Sequence, residues 1–212
     1  MGQIISFEGI DGAGKTYWAQ SIADFLGEQA IYITRKNMAA SNNAYINEMG
    51  RHFEKILWKS GYELPVELIP DEAWLCLHLA WYFIFQENVL KQLLRKYKYV
   101  ILDGWFYKIL ARFWIKSEYT NQVLLERFAD LINADRIFFL DINPQKCFER
   151  KESFSKCELG LLDGEERNNA ASFISYQNKV RKSYYEVFAS LDLKIKVFDE
   201  FVDLKRLIKE FE

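Results

Sequence analysis

Nine residues near the amino terminus, Glu8-Gly9-Ile10-Asp11-Gly12-Ala13-Gly14-Lys15-Thr16, constrain this chain more than any other stretch. They contain Gly-x-x-x-x-Gly-Lys-Thr, the spacing of a phosphate-wrapping P-loop. Gly9, Gly12 and Gly14 permit backbone conformations that a Cβ forbids, so successive N–H groups can converge on an anion. A helix starting near Gly14 adds the positive end of its dipole. The loop from Gly9 through Ala13 to Thr16 is therefore the expected cradle for donor phosphates. Lys15 is placed to reach the β- and γ-phosphates and the Thr16 hydroxyl to ligate Mg²⁺. The flanks agree with this reading. Residues 3–8 are short, apolar and β-favouring, and Tyr17, Trp18, Ile22, Phe25 and Leu26 then recur at helical spacing up to Gly27. A glycine-rich turn with a chance lysine would not need the order strand, loop, helix.

The rest of the chain alternates in the same way. Strands are expected at 30–34, 99–102, 136–141 and 195–198. Helices are expected at 44–60, 71–96, 104–116, 121–132, 169–191 and 201–211, with a further one opening at Asn143-Pro144. Alternation of this kind predicts an α/β fold, a five-stranded parallel sheet of the P-loop NTPase type with helices on both faces. Ligands of such sheets gather beyond the carboxyl ends of the strands. Arg35 and Asp103 fall there. Arg35 is placed to meet an anion or is a solvated loop residue. Asp103 is an acid for the Mg²⁺ shell or a cap for the next helix. Residues 151–168 crowd charges around Gly160 and Gly164, which suits a mobile lid that brings Arg150, Lys151 or Arg167 onto phosphates, or else a charged surface loop.

Composition excludes several classes. The 212 residues suit a single domain over 1–212, and half of them are hydrophobic, enough for a sizeable core. A formal charge of -2 offers no general field for nucleic acid, so an anionic substrate must be held by a few local cations. Cys76, Cys147 and Cys157 are odd in number and far apart, which fits neither a disulfide framework nor a zinc site. The apolar run 73–85 is shorter than the roughly 20 residues a membrane span needs. Residues 1–8 read as a first strand, not a signal peptide. A cytoplasmic protein with no nucleic-acid or membrane partner is expected.

With these residues in view, the chain resembles the thymidylate kinases, within the nucleoside-monophosphate kinases. The resemblance rests on Phe7 through Thr16, on Thr34-Arg35, on Leu140-Asp141-Ile142-Asn143-Pro144 with Arg150, on Glu166-Arg167, and on Phe173 and Tyr176. It implies ATP and Mg²⁺, an arginine for the acceptor phosphate at Arg35, an acid that orients the acceptor at Asp11, and a homodimer. It also implies a lid arginine at Arg167 acting on the transferring phosphoryl group, because Gly12 stands where another branch of the family carries that arginine. The departures lie together. The family's Asp-Arg-Tyr is here Asp103-Gly104-Trp105, its base-holding Phe and Arg are His78 and Tyr82, and its Ser and Ala-Tyr-Gln become Lys108 and Ala111-Arg112-Phe113. The donor half of the site is retained and the acceptor half rewritten.

His78 is therefore a base contact or, as a lone histidine in an apolar helix, a core residue. Lys108 and Arg112 lie four apart on one helix face, where they hold an anion or are solvated. The leading expectation is ATP-dependent phosphoryl transfer to a nucleoside monophosphate. Two other readings stay open, a nucleotide-binding module without transferase activity and a kinase for a non-nucleotide acceptor.

Overall fold

The computed structural model describes residues 1–34, 41–59, 68–199 and 203–211. Five strands form one sheet: β1 (Gln3–Glu8), β2 (Ala30–Thr34), β3 (Tyr99–Asp103), β4 (Arg136–Leu140) and β5 (Ile195–Phe198). Their order is β2-β3-β1-β4-β5, and every pairing is parallel. Parallel neighbours need crossover helices, and helices on both faces leave the central strands dry. Ile4, Ile5, Phe7, Val100, Ile101, Leu102 and Phe139 accordingly lie in the core. The register sets Asp103 opposite Phe7 on one side and Thr34 on the other, so the ends of β1, β2 and β3 meet at one level.

The helices are α1 (Lys15–Leu26), α2 (Ala44–Glu54), α3 (Asp71–Phe85), α4 (Lys91–Lys96), α5 (Tyr107–Trp114), α6 (Asn121–Phe128), α7 (Pro144–Glu149), α8 (Ala170–Ser190) and α9 (Leu204–Ile208). Helices α1 and α9 pack together, and α5 packs along α8. The caps follow the sequence. Asn43, Asn143 and Asn169 each accept backbone N–H groups of the first turn of α2, α7 and α8, and Thr120 does so for α6.

Several expected helices differ in detail. The helix expected at 44–60 is α-helical to Glu54 and widens into a π-helical stretch over Lys55–Lys59. The one expected at 71–96 widens in the same way over Gln86–Leu90 before resuming as α4. The second widening coincides with a buried anchor, since Gln86 accepts from Ile132 N–H at 2.7 Å and donates to the Asp130 carbonyl at 3.2 Å. That same bond draws residues 130–132 away from helix geometry, so α6 ends at Phe128 and not at 132. The helix expected from 104 begins at Tyr107, because Gly104 turns the chain first. Of the helix expected at 201–211, residues 201–202 lie outside the described residues, and the α-helix ends at Ile208. No helix among the described residues is long and apolar enough to cross a membrane.

Candidate active site

The phosphate loop leaves β1 at Glu8, a carboxylate with no exposure. Its charge is not left bare: Ser6 Oγ and the Trp105 N–H donate to Oε1, both at 2.6 Å, and the Tyr184 hydroxyl donates to Oε2 at 3.1 Å. Gly104 makes one of these bonds possible. Its φ of 78° is a conformation L side chains rarely adopt, and it swings the Trp105 N–H back onto Glu8. Glu8 thus locks the ends of β1 and β3 together directly beneath the loop.

Gly9, Gly12 and Gly14 all take positive φ, and α1 starts at Lys15 as the motif requires. Lys15 Nζ donates to the Gly9 and Ile10 carbonyls at 2.9 and 2.7 Å, so its amine sits over the loop. Thr16 Oγ1 donates to Asp103 Oδ2 at 2.6 Å. Tyr32 also bonds Asp103. Its phenol is pushed up to about 12, first by partial burial and then by the Asp103 charge. Tyr32 and Thr34 share a face of β2 by strand alternation, and both line the cleft. Sequence reasoning missed this pair, although the period of two was there to read.

A cavity of about 620 Å³ opens above the loop. Its floor is Gly12, Gly14, Lys15 and Thr16, one wall is Tyr32, Thr34 and Asp103, another is Asp11 and Lys108, and Arg150 and Lys151 close a third side. The hydroxyl of Thr16 and the carboxylate of Asp103, in contact where floor meets wall, are hard oxygen donors of the kind Mg²⁺ takes. The residues therefore fit the ion. Among the described residues there is no cluster of three or more His, Cys, Asp or Glu side chains that suits a metal.

Asp11 is the electrostatic centre of the other half. Lys108 Nζ pairs with its Oδ1, Arg112 Nη2 donates to Oδ2 at 2.9 Å, and Gln177 Nε2 donates to the same oxygen at 3.3 Å. Burial alone would raise the Asp11 carboxyl, but Lys108, Arg112 and Lys15 outweigh it and hold the group well below the ordinary aspartate value. Burial likewise opposes the Arg112 charge, and Tyr176 and Asp11 keep its pKa raised. Lys108 and Arg112 share a face of α5, as their spacing predicts. That face is largely buried: both cations pair with Asp11, and Lys108, only 4% exposed, reaches the cavity wall beside it.

The remaining candidates fall elsewhere. Arg35 lies outside the described residues. Tyr82 has no exposure, packs edge-on to Trp105 at 5.1 Å and donates to the Trp105 carbonyl at 3.4 Å. His78 stands one turn away with Trp58 and Trp74 rings 6.2 and 6.5 Å from it. Neither lines the cavity. Arg150 does, and Arg167 does not: it is exposed, just before α8.

The segment between α7 and α8 is docked, not loose on the surface. Leu159 is buried. Phe154 stacks on Phe148 at 4.6 Å and meets Phe173 at 5.1 Å. Lys116 pairs with both Asp163 and, at 2.9 Å, Asp71. Asp141, between β4 and α7, is paired by Arg181 and by the Tyr185 hydroxyl at 2.9 Å.

Comparison with known proteins agrees with this architecture. The profile of the thymidylate kinase family matches residues 7–202. The chain is 25% identical to a thymidylate kinase of Chlorobium limicola, covering 97% of this chain and 91% of that one. It is 24% identical to a probable thymidylate kinase of Sulfurisphaera tokodaii, covering 88% and 83%. Among solved structures, thymidylate kinase from Candida albicans superposes with a TM-score of 0.67 at 18% identity, over 99% of this chain and 89% of that chain. The enzyme from Ehrlichia chaffeensis superposes at 0.63, also at 18% identity, over 99% and 98%. At such identity the superpositions speak for the fold, and the profile, spanning the phosphate loop, the Asp103 strand end and the lid, speaks for the lineage: the chain belongs to the thymidylate kinase family, whose members are ATP-dependent kinases of nucleoside monophosphates.

Proposed function

We propose that this chain transfers the γ-phosphoryl group of Mg²⁺-bound ATP to a nucleoside monophosphate other than dTMP, as a cytoplasmic homodimer. The observation that carries the reading is the single cavity in which Lys15, the Thr16–Asp103 pair and the Asp11–Lys108 pair face one another. Phosphoryl transfer asks for positioning and for cations that spread the developing charge, with little covalent chemistry. Thr16 and Asp103 would hold the Mg²⁺, which when bound shields the donor phosphate charge. Lys15 exchanges its bonds to the Gly9 and Ile10 carbonyls for phosphate oxygens, and Arg150 faces the same phosphates from the lid side.

On the acceptor side, Gly104 stands where the family has an arginine after the aspartate, and Lys108 is a cation that lines the same cavity. Asp11 holds Lys108 beside the donor loop, where an acceptor phosphate has to arrive for in-line attack. Arg35, next in sequence after β2 and outside the described residues, and Arg167 are assigned by resemblance to the acceptor phosphate and the transferring group. Because Arg167 is exposed outside the cavity, its role requires residues 165–169 to move inward. The hydroxyl of Tyr82 is committed to the Trp105 carbonyl and offers no cation for a thymine ring.

The test is product identification. Protein incubated with ATP, Mg²⁺ and a panel of monophosphates should form ADP and one nucleoside diphosphate in equal amounts, followed by ³¹P NMR, and Lys15→Ala should abolish this without loss of fold. ATP binding with no diphosphate formed from any acceptor would leave a nucleotide-binding module. Turnover only with a non-nucleotide phosphate would give the other alternative.

A further inference from the structure

Two side chains from different helices each touch both Asp11 and the lid. Gln177, in α8, is fully buried. Its carbonyl accepts the Asp11 N–H at 3.2 Å, and its amide nitrogen donates to Asp11 Oδ2 at 3.3 Å and to the Glu158 carbonyl at 2.8 Å. Chemistry fixes the amide's orientation: a backbone N–H on one side calls for oxygen, and a carboxylate and a carbonyl on the other call for nitrogen. Arg112, in α5, donates through Nη2 to the same Asp11 oxygen at 2.9 Å and to the Cys157 carbonyl at 3.4 Å. Two consecutive lid carbonyls are thereby tied to one carboxylate of the phosphate loop.

Neutralising Asp11 does not call for Gln177, since Lys108 and Arg112 already supply two positive charges. What the amide adds is span, because it binds the backbone and side chain of Asp11 at one end and the lid backbone at the other. We propose that Gln177 is a positioning residue that couples docking of the lid to the orientation of Asp11. This rests on the reading of the Asp11–Lys108 pair as the acceptor side of a kinase site. When residues 157–158 lift from α5 and α8, Gln177 Nε2 loses the Glu158 carbonyl and Arg112 Nη2 the Cys157 carbonyl, so both side chains lose the bond that aims them at Asp11. With those two side chains no longer braced by the lid, the orientation they impose on Asp11 and its partner Lys108 relaxes while the site is open to water. Productive positioning and exclusion of water thus arrive together.

The test uses the full chain and two variants. Gln177→Met keeps roughly the volume and removes all three bonds. Gln177→Asn keeps an amide but is too short to reach both ends. Each should lower kcat by about 10- to 100-fold with the KM for ATP changed less than about threefold. Each should also raise amide exchange at residues 158–163 by roughly 5- to 30-fold, with β1, β3 and β4 unchanged. The exchange arm needs no turnover, so it decides the bridge even if the kinase reading fails. Unchanged lid exchange in both variants would overturn the proposal, as would faster lid exchange with kcat intact in an active enzyme. A general rise in exchange across the sheet would make Gln177 a stability residue and overturn it as well.

Discussion

Asp11 shows how far a single residue can be read from its neighbours in sequence. Its place in the motif is plain, but its charge state depends on residues about a hundred positions away. Lys108 and Arg112 hold the carboxyl ionised, with a folded pKa below the ordinary value of about 3.9. A depressed carboxyl stabilises the fold fully above the unfolded value and loses that contribution as pH falls through the folded one. Asp11 should therefore contribute no step in stability between pH 5 and 8. Lys108→Met should destabilise the protein in that window by less than the roughly 3–5 kcal/mol of a wholly orphaned buried charge, because Arg112 remains. Urea melts from pH 7 down to pH 3 check this: the gap between wild type and variant should narrow as Asp11 protonates. A gap that stays constant into acid would mean that Lys108 stabilises by packing alone. The Thr16–Asp103 contact, by contrast, was legible from the motif and a strand end. Gln177 was not. Its one signal is a polar side chain on the apolar face marked by Phe173, Tyr176, Val180 and Tyr184, and nothing in the sequence says which partners it will meet.

At the scale of elements, strands were the easiest to read, because a dry parallel strand writes its burial as an unbroken apolar run bounded by turn residues. β1, β2 and β5 have the expected limits. Helix ends were harder, since they are set by long-range bonds such as Trp105 N–H to Glu8 and Ile132 N–H to Gln86. The lid shows the same limit. Its charges suggested a surface loop or a swinging arm, whereas its fixed points are an apolar and aromatic cluster together with polar ties to Lys116, Arg112 and Gln177. Gly160 is the tightest of them: it has a φ of 72°, and a Cβ there would meet the Tyr176 ring at 2.5 Å. Gly160→Ala should therefore undock the lid. The cost is about 1–3 kcal/mol of backbone strain plus the displaced ring. Limited proteolysis should show faster cleavage between residues 151 and 167 in the variant, with the sheet intact by circular dichroism. Equal cleavage rates would mean that the lid does not depend on this contact.

For the whole molecule, the proposed function divides the cavity at the end of the sheet into a donor half and an acceptor half. The donor half keeps the loop, the helix dipole, Lys15, Thr16 and Asp103 in the arrangement the motif demands. In the proposed reading, the acceptor half carries Gly104 where the family has an arginine; the positive φ of Gly104 serves the Glu8 lock, and Lys108 and Arg112 surround Asp11. Each lost charge-assisted hydrogen bond to the family's acceptor is worth roughly 1.5–3 kcal/mol, so two losses, at Tyr82 and Gly104, amount to about 10²- to 10⁴-fold in kcat/KM. The most direct measurement is kcat/KM for dTMP beside that for each other nucleoside monophosphate, with ATP and Mg²⁺ saturating. Since the phosphate is common to all acceptors, the base-side change at Tyr82 alone discriminates, and it predicts a best acceptor that exceeds dTMP by at least about 10-fold. Efficient turnover with dTMP as the preferred acceptor would contradict it and would leave Lys108 and Arg112 as structural partners of Asp11 alone.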